Sequence, residues 1–294
     1  MELLDGKKIS AQIKEEIAAE VNKMKDRGEK VPHLAAVIVG NDGASLTYVG
    51  SKVKACEQVG FQSTLIRLPG TTSEVELLKK IEELNNDDDI DGFIVQLPLP
   101  PQIDTQEVIM AVHPDKDVDG FHPTNFGKMA LDMSTFIPAT PFGILELLER
   151  YNVQTQGKHT VVIGRSHIVG RPMSILMGRK GFPGNSTVTL THSHTKNITQ
   201  ITSQADIIIS ALGQPNFLKA EMVKDDAVVI DVGITRMLDE TSPKGYKIVG
   251  DVDFENVSKK ASYITPVPGG VGPMTIAMLL KNTLLARERH RGRK

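Results

Sequence analysis

Tyr48 and Lys52 place a phenol and an amine four positions apart in the sequence. At this spacing both side chains can act on one ligand. The surrounding segment, 45–60, is predicted to be helical because its apolar residues recur at helical spacing. These residues are Leu46, Val49, Val53 and Cys56. Side chains four apart share one helix face, so Tyr48 and Lys52, at the border of this apolar stripe, converge on one ligand. An amphipathic tyrosine beside a surface lysine gives the same pattern, so the spacing alone leaves both interpretations open.

Two later stretches place polar side chains where a ligand would find them. In "DGFIVQLPLP", Gln96 lies near the end of a very apolar strand that prolines terminate. The carboxyl ends of strands are where open α/β sheets present ligand-binding groups. In "HPDKDVDGFHP", Asp119 precedes Gly120 and offers a carboxylate to the paired N–H donors of a heterocycle. Turn formation also explains much of this acidic, proline-rich loop.

The stretch "VVIGRSHIVGRPMSILM" is predicted to form a strand, a turn and a helix. Gly164 and Gly170 stand where the first and third glycines of a dinucleotide-binding fingerprint would be, and Ser166 replaces the middle glycine. The serine predicts a looser approach of the backbone to phosphate, or a contact through its hydroxyl. A glycine turn also occurs for packing alone, but the regular strands that follow favour a nucleotide site.

The next strand ends in "TLTHSHTKN", where an NAD-selective site would carry a carboxylate. Ser193, two histidines and Lys196 stand there instead, and Arg165 directly follows the first glycine. Donors and a guanidinium suit the 2′-phosphate of NADP, which a carboxylate would repel. The alternative is that Arg165 pairs with a surface acid. His192 and His194 have no neighbouring cysteine or acid to complete a ligand set, so no metal is predicted.

Short β-branched runs alternate with helical patterns, which predicts the α/β class with parallel sheets covered by helices. The predicted strands of the first half are 33–40, 61–69 and 91–100, and its predicted helices are 45–59 and 72–85. Ser73 and Glu76 stand at capping-box spacing at the start of the second helix. The strand pattern restarts near residue 157, with runs at 159–164, 186–192, 205–212 and 227–234.

Two α/β units are therefore expected, with a boundary near 139–156. The proline-containing stretch 138–141 would begin the connecting helix, because proline suits a first turn. After residue 272 the pattern predicts one long terminal helix. No internal repeat at solenoid periods is present in the sequence.

Composition excludes several classes of function. The net charge of −2 over 294 residues leaves no broad electrostatic footprint for nucleic acid or an anionic membrane. The basic end "RERHRGRK" is predicted to be a solvated, frayed tail. A single cysteine, Cys56, rules out an internal disulfide, and no run reaches the roughly 18 apolar residues of a membrane span. The start of the chain has no signal-like apolar region, so the cytoplasm is the expected compartment.

Several longer strings resemble, in order, one known family. They are "YVGSK", "GFIVQLPLP", "PDKDVDGFHP", "GRSHIVGRPM", "GQP", "VVIDVGI", "VGDVDF" and "YITPVPGGVGPMT". Over nearly the whole chain they resemble the bifunctional methylenetetrahydrofolate dehydrogenase and methenyltetrahydrofolate cyclohydrolase family. The resemblance implies that 5,10-methylenetetrahydrofolate is oxidised with NADP to the methenyl cation, which water opens to 10-formyltetrahydrofolate. It also implies a role in one-carbon metabolism and assembly as a homodimer.

The same resemblance implies a folate-binding catalytic domain, 1–140, completed by the terminal helix, 273–294. Residues 141–272 would form an NADP-binding domain with a Rossmann-like, doubly wound parallel sheet. Tyr48 and Lys52 would then belong to the folate domain, so their likeness to the catalytic pair of the short-chain dehydrogenases is coincidental.

The family's motifs imply roles for individual residues. Lys52 would be the main catalytic residue, with Gln96 bonded to it, Tyr48 packed against the folate and Asp119 holding the pterin. The role implied for Asp119 is chemically reasonable, because a carboxylate can accept two parallel hydrogen bonds from the edge of a pterin. An amine whose pKa is lowered by burial and a nearby cation can take a proton from water at neutral pH.

The remaining implied residues line the cofactor and the last glycine-rich loop. Those implied to bind NADP are Gly164, Arg165, Ser166, Ser193, Gly213, Ile234, Gly270 and Thr275. Those implied to bind the folate from the last loop are Pro268, Gly269 and Gly272. The glycines of this loop are expected to leave room for ligands. Two alternatives are a catalytically silent binding protein, against which Lys52, Gln96 and Asp119 argue, and a dehydrogenase without cyclohydrolase activity, which would carry the same lysine.

Overall fold

The computed structural model describes residues 1–41, 43–239, 241–242 and 245–291. The chain folds into two compact units. We call Ala11–Ala139 with Ile276–Lys294 the three-stranded unit, and Met1–Ser10 with Thr140–Thr275 the six-stranded unit. Residues 2–3 pair with a strand of the six-stranded unit.

Helices and strands alternate along the chain. The first half contains β1 (Glu2–Leu3), α1 (Gly6–Asp26), β2 (His33–Val39), α2 (Gly43–Val59), β3 (Gln62–Leu68), α3 (Glu74–Asn86), β4 (Gly92–Val95), α4 (Thr105–Ala111), α5 (Pro123–Ala130) and α6 (Ala139–Arg150). The second half contains β5 (His159–Ile163), α7 (Gly170–Gly178), β6 (Thr187–Thr191), α8 (Ile198–Thr202), β7 (Ile207–Ser210), β8 (Val228–Asp231), β9 (Thr235–Leu238), β10 (Tyr246–Val249), α9 (Phe254–Val257), β11 (Tyr263–Ile264) and α10 (Val271–Arg291).

The three-stranded unit is built on a parallel sheet with the order β3-β2-β4. Every residue of β2 is buried, as a central strand covered on both faces requires. Helix α3 packs on one face through Leu77, Ile81 and Leu84, which join the core around Phe93. The predicted cap is confirmed, because the Ser73 hydroxyl accepts from the Glu76 N–H and the Glu76 carboxylate accepts from the Ser73 N–H.

The six-stranded unit contains a parallel sheet with the order β1-β11-β8-β7-β5-β6. The chain runs from β5 to β6 on one side and then returns to β7 on the other side of β5. The strand order therefore reverses next to β5, which is the topological switch point of a doubly wound sheet. The predicted α/β class and Rossmann-like sheet are confirmed. The short strands β1 and β11 and the antiparallel β9–β10 hairpin are not among the predicted elements.

The predicted terminal helix is confirmed as α10 up to Arg291, and its predicted last residues, 292–294, lie outside the described residues. The expectation of a frayed basic tail is wrong for Arg287–Arg291. Arg287 is buried and donates to the Lys30 carbonyl at 3.1 Å and to the Glu29 carboxylate at 2.7 Å. Arg291 also pairs with Glu29. Acids elsewhere in the three-stranded unit therefore bind this end of the chain. Among the described residues, no helix combines the length and the hydrophobicity that a membrane span requires.

The Glu29 cluster generates a prediction about stability. Hydrogen bonds from Arg27 and Arg287 lower the pKa of Glu29 to about 2. A carboxyl whose pKa is lower in the folded state stabilises the protein above its unfolded pKa, and this stability is lost as pH falls towards 2. Glu29→Gln should therefore lower the melting temperature at pH 7, by a margin that shrinks between pH 4.5 and 2. Calorimetric melts across this range check it, with Glu15→Gln, a change at an exposed acid of α1, as the control. An equal deficit at every pH would contradict the ionic origin of the stability.

Candidate active site

Lys52 lies on the buried side of α2. Its side chain is only 5% exposed, whereas Val53, predicted to lie in the apolar stripe, is half-buried. The buried side of the helix thus runs through Val49, Lys52 and Cys56, so the predicted place of Lys52 at the stripe border is corrected. A polar head can occupy such a position only if the fold supplies it with partners.

Two side chains of the three-stranded unit lie next to the amine, those of Gln96 and Tyr48. Lys52 Nζ donates to Gln96 Oε1 at 3.3 Å and lies 4.7 Å from the centre of the Tyr48 ring. Gln96 directly follows β4, and its Nε2 donates to the Leu97 carbonyl at 2.7 Å. That bond orients the amide so that its oxygen faces the amine. The structure therefore brings together Tyr48, Lys52 and Gln96, as the resemblance implied.

Burial and charge act on the site in opposite directions. Burial lowers the pKa of Lys52, while the nearby negative charge of Asp119 acts to raise it. Burial raises the pKa of Asp119, and the charge of Lys52 acts to lower it. The two groups are thus electrostatically coupled within the three-stranded unit. The net effect of burial is to favour a neutral amine at Lys52.

Asp117 is a site residue that the sequence analysis missed. Its carboxylate is buried and accepts hydrogen bonds from the N–H groups of Gly120, at 3.1 Å, and His122, at 2.8 Å, and from Asn125 Nδ2 at 2.8 Å. These bonds fix the turn that carries Asp119. The available signal was the alternation of acids in "DVDG", where the carboxylate of the first acid accepts backbone N–H groups and the charge of the second acts on Lys52. Burial raises the pKa of Asp117 despite these donors.

The glycine turn of the six-stranded unit follows β5 directly. Gly164 has φ +110°, and a Cβ built there would lie 2.3 Å from the Ala211 carbonyl oxygen. A Cβ at Gly170 would lie 1.9 Å from the Gly164 carbonyl oxygen. Both glycines are therefore required for the close packing of turn, helix and neighbouring strand end, as in a dinucleotide-binding turn.

Ser166 and Arg165 project from this turn. The Ser166 hydroxyl accepts from the N–H groups of Val169, at 3.2 Å, and Gly170, at 3.3 Å, at the start of α7. It keeps its own proton free to donate to a phosphate oxygen. Arg165 is exposed, and no carboxylate of the described residues forms an ion pair with it. These features fit a phosphate-bearing nucleotide.

Ser193, Gly213 and Ile234 occupy the loops after β6, β7 and β8. All three lie at the carboxyl ends of parallel strands. Strands β6 and β7 are the two neighbours of β5 at the switch point, and β8 is the next strand beyond β7. Ser193 and Gly213 are exposed, and Ile234 exposes 58% of its apolar side chain. Such loops are where doubly wound sheets bind dinucleotides, so the residues present fit NADP. Within the described chain, no group of three or more His, Cys, Asp or Glu side chains is placed to hold a metal ion.

The last glycine-rich loop has two kinds of glycine. A Cβ at Gly270 would lie 2.6 Å from the Pro266 carbonyl oxygen, so packing of the chain on itself already requires this glycine. The expected open space at Gly270 is thus corrected. Gly272 meets only Ile234 Cδ1, at 3.5 Å, and borders an apolar pocket of about 140 Å³. Pro268 and Gly269 line the same pocket. Thr275 Oγ1 lies 2.9 Å from Thr140 Oγ1, so its hydroxyl already has a partner.

Comparisons with known proteins agree with this architecture. The tetrahydrofolate dehydrogenase/cyclohydrolase catalytic domain matches residues 4–119, and the NAD(P)-binding domain of the same name matches residues 138–291. Bifunctional protein FolD of Flavobacterium psychrophilum is 83% identical over 291 residues, which cover 99% of each chain.

Solved structures extend the comparison to the fold. The bifunctional enzyme FolD of Campylobacter jejuni is 47% identical, covers 100% of both chains and has a TM-score of 0.92. The Trypanosoma brucei enzyme, solved with NADP and an inhibitor, is 38% identical, covers 97% of this chain and 96% of its own, and has a TM-score of 0.92. The chain belongs to the tetrahydrofolate dehydrogenase/cyclohydrolase family, which confirms the resemblance.

The Asp117 turn generates a prediction. In Asp117→Asn the amide nitrogen replaces an acceptor, so some of the buried donors of this turn lose their partner. The free energy of unfolding should fall by about 1 to 3 kcal/mol. Hydrogen exchange of the N–H groups at 120–122 should also accelerate. Denaturant unfolding and exchange mass spectrometry measure both, with Asp115→Asn as the control in the same loop. Unchanged exchange in Asp117→Asn would show that the carboxylate does not fix this turn.

Proposed function

We propose that this protein oxidises 5,10-methylenetetrahydrofolate with NADP to 5,10-methenyltetrahydrofolate, and then hydrolyses that cation to 10-formyltetrahydrofolate. The first step removes a hydride from the one-carbon unit, and the second adds water and releases a proton. Bound NADP supplies the hydride acceptor. Family membership supports the two activities, and the buried Lys52 amine is the single observation that carries the chemistry.

Lys52 is the proposed general base of the hydrolysis. Burial lowers its pKa, so the neutral amine becomes accessible nearer to physiological pH. The neutral amine takes a proton from the water that attacks the methenyl carbon. The oxygen of Gln96, 3.3 Å from Lys52 Nζ, directs the amine and accepts one of its hydrogens. The positive charge of the methenyl substrate would lower the pKa of Lys52 further.

Tyr48 and Asp119 are the proposed folate contacts. The Tyr48 ring lies beside the amine and offers a flat surface on which a folate ring can pack. Asp119 offers a carboxylate to the amino and N–H groups of the pterin. These donors would offset the burial that raises the pKa of Asp119. Pro268, Gly269 and Gly272 are proposed to contribute backbone from the last loop.

The NADP residues of the proposal lie at the strand ends of the six-stranded unit. Ser166 and the turn at Gly164 would hold phosphate, and Arg165 with Ser193 would bind the 2′-phosphate. Gly213, Ile234, Gly270 and Thr275 would line the rest of the cofactor. Their task is alignment, because hydride transfer needs a fixed distance and orientation rather than acid or base groups.

The proposal includes the organisation of the chain. Residues 1–140 and the terminal helix would act as the folate-binding catalytic domain, and 141–272 as the NADP-binding domain. A homodimer is also proposed, on the family resemblance, and a cytoplasmic location is proposed as the default compartment.

The proposed base gives the first functional prediction. Lys52→Met keeps the aliphatic stem but removes the amine, so hydrolysis of methenyltetrahydrofolate should fall by about 10²- to 10⁴-fold. NADP binding should remain. The measurement is the decay of methenyl absorbance, corrected for spontaneous hydrolysis, beside a calorimetric NADP titration. Lys54→Met, an exposed lysine of the same helix, is the matched control.

The pH profile separates a base from a merely structural lysine. Below its pKa the amine is protonated and cannot accept a proton, so the wild-type hydrolysis rate should fall as pH is lowered through a pKa below 10.5, the ordinary value for lysine. Wild-type rates in Lys52→Met would overturn the assignment of the base. Wild-type protein that forms no methenyl product from methylenetetrahydrofolate and NADP would overturn the function itself.

Cofactor preference gives the second functional prediction. Arg165→Ala removes a charge-assisted contact to the 2′-phosphate, which is worth about 1.5 to 3 kcal/mol. The value of kcat/KM with NADP should therefore fall by roughly 10- to 150-fold, while kcat/KM with NAD stays near its wild-type value. Initial rates of NADPH and NADH formation measure this, with Arg171→Ala as the control. Equal losses with both cofactors would mean that Arg165 has a structural role.

A further inference from the structure

Asp251 is a buried carboxylate that no catalytic step uses. It follows β10 in the six-stranded unit and is 0% exposed. Its Oδ2 accepts hydrogen bonds from the N–H groups of Leu212, at 2.7 Å, and Gly213, at 3.1 Å. Both donors belong to the loop after β7, which contains the proposed cofactor residue Gly213. One carboxylate oxygen therefore fixes two successive peptide groups of this loop.

Asp231 holds Asp251 in place. It is the last residue of β8 and is 3% exposed. Its Oδ1 accepts from the N–H groups of Asp251 and Gly233, each at 2.9 Å, and its Oδ2 accepts from the Val252 N–H at 2.9 Å. The same carboxylate thus anchors the backbone of Asp251 and the turn that leads to Ile234. A Cβ at Gly250 would lie 1.9 Å from Asp231 Oδ2, so this approach requires glycine there.

The loop that Asp251 holds packs on the glycine turn. The Ala211 carbonyl oxygen would lie 2.3 Å from a Cβ at Gly164, and Ala211 is the residue before Leu212. A displacement of the loop would therefore reach the turn at Gly164 and, through it, the start of α7 at Gly170. Close-packed backbone transmits such shifts because no gap is available to absorb them.

Two carboxylates at this depth are costly, and the hydrogen bonds offset part of that cost. Burial raises the pKa of Asp231 to about 6, against the lowering by its three backbone donors. Burial also raises the pKa of Asp251, and the N–H groups of Leu212 and Gly213 oppose the rise. Both oxygens of Asp231 and Oδ2 of Asp251 accept backbone N–H groups, which is the arrangement of groups that fix loops, whereas the buried Oδ1 of Asp251 has no partner among the described residues.

We propose that Asp251 is a positioning residue for the cofactor: its carboxylate, anchored by Asp231, fixes the loop 211–214 and thereby the turn at Gly164 against which that loop packs. This inference rests on the proposed function, because it assumes that these loops bind NADP. The chemistry of the reaction does not pass through Asp251, so its loss should weaken NADP binding and leave hydrolysis of the methenyl substrate intact.

The test compares Asp251→Ala, which removes the acceptor, with Asp251→Asn, which retains one oxygen for Leu212 and Gly213. In Asp251→Ala the N–H groups of Leu212 and Gly213 lose their charged acceptor, so the loop is no longer fixed for the cofactor and the KM for NADP should rise by about 10- to 100-fold. Asp251→Asn should restore most of the affinity. Methenyl hydrolysis needs no NADP and should stay within twofold of wild type in both. Asp253→Asn, two residues along, is the matched control and should behave as wild type.

Each outcome decides between roles. An unchanged KM for NADP in Asp251→Ala overturns the proposal, and so does a parallel loss of hydrolysis and melting temperature, which would mark a general structural role. Calorimetric titration with NADP alone tests binding without any folate. Wild-type protein that binds NADP but forms no methenyl product would contradict the proposed function. The positioning role would still be supported in that case if Asp251→Ala weakens NADP binding. Wild-type protein that fails to bind NADP overturns both.

Discussion

Burial of the Lys52 amine away from water determines which side chains the three-stranded unit must place around it. An amine at this depth loses hydration, and only a narrow set of neighbours can compensate. Helix α2 supplies the Tyr48 ring, the end of β4 supplies the Gln96 oxygen, and the turn after Asp117 supplies the negative charge of Asp119. Burial lowers the pKa of Lys52 and also costs free energy, so both effects arise from the same loss of hydration.

Buried carboxylates fix loops of the three-stranded unit and of the six-stranded unit in the same way. A buried carboxylate accepts several backbone N–H groups from a segment that has no helix or strand to satisfy them. Asp117 does this for the turn that carries Asp119, and Asp231 with Asp251 does it for the segments after β7, β8 and β10. Carboxylates suit this task because each offers two oxygens and binds N–H donors more strongly than a neutral acceptor does. Loops fixed in this way keep a defined backbone geometry without being buried in a helix or a strand.

Local signals in the sequence were sufficient to predict most helices and strands. They did not predict the elements and contacts that depend on pairing between distant segments. The continuous apolar run of β2 and the Ser73 cap of α3 are encoded within a few residues. Strands β1 and β11 are two residues each and exist only because they pair across more than 250 residues. Arg287 looked like part of a solvated tail because its partner, Glu29, lies far away in the chain. Residues that act through distant partners leave no periodic pattern.

The site itself divides along the same line. Residue type and motif predicted that Tyr48, Lys52 and Gln96 lie together, but they did not predict the depth of Lys52, because an apolar stripe counts only apolar residues. A lysine at a helix position flanked by Val49 and Cys56 is ambiguous until the partner on another strand is known. Asp117 and Asp251 were missed for a related reason, since "DVDG" and "GDVD" are also ordinary turn sequences. The physical distinction is whether the carboxylate faces water or a cage of backbone N–H groups, and only the three-dimensional arrangement decides that.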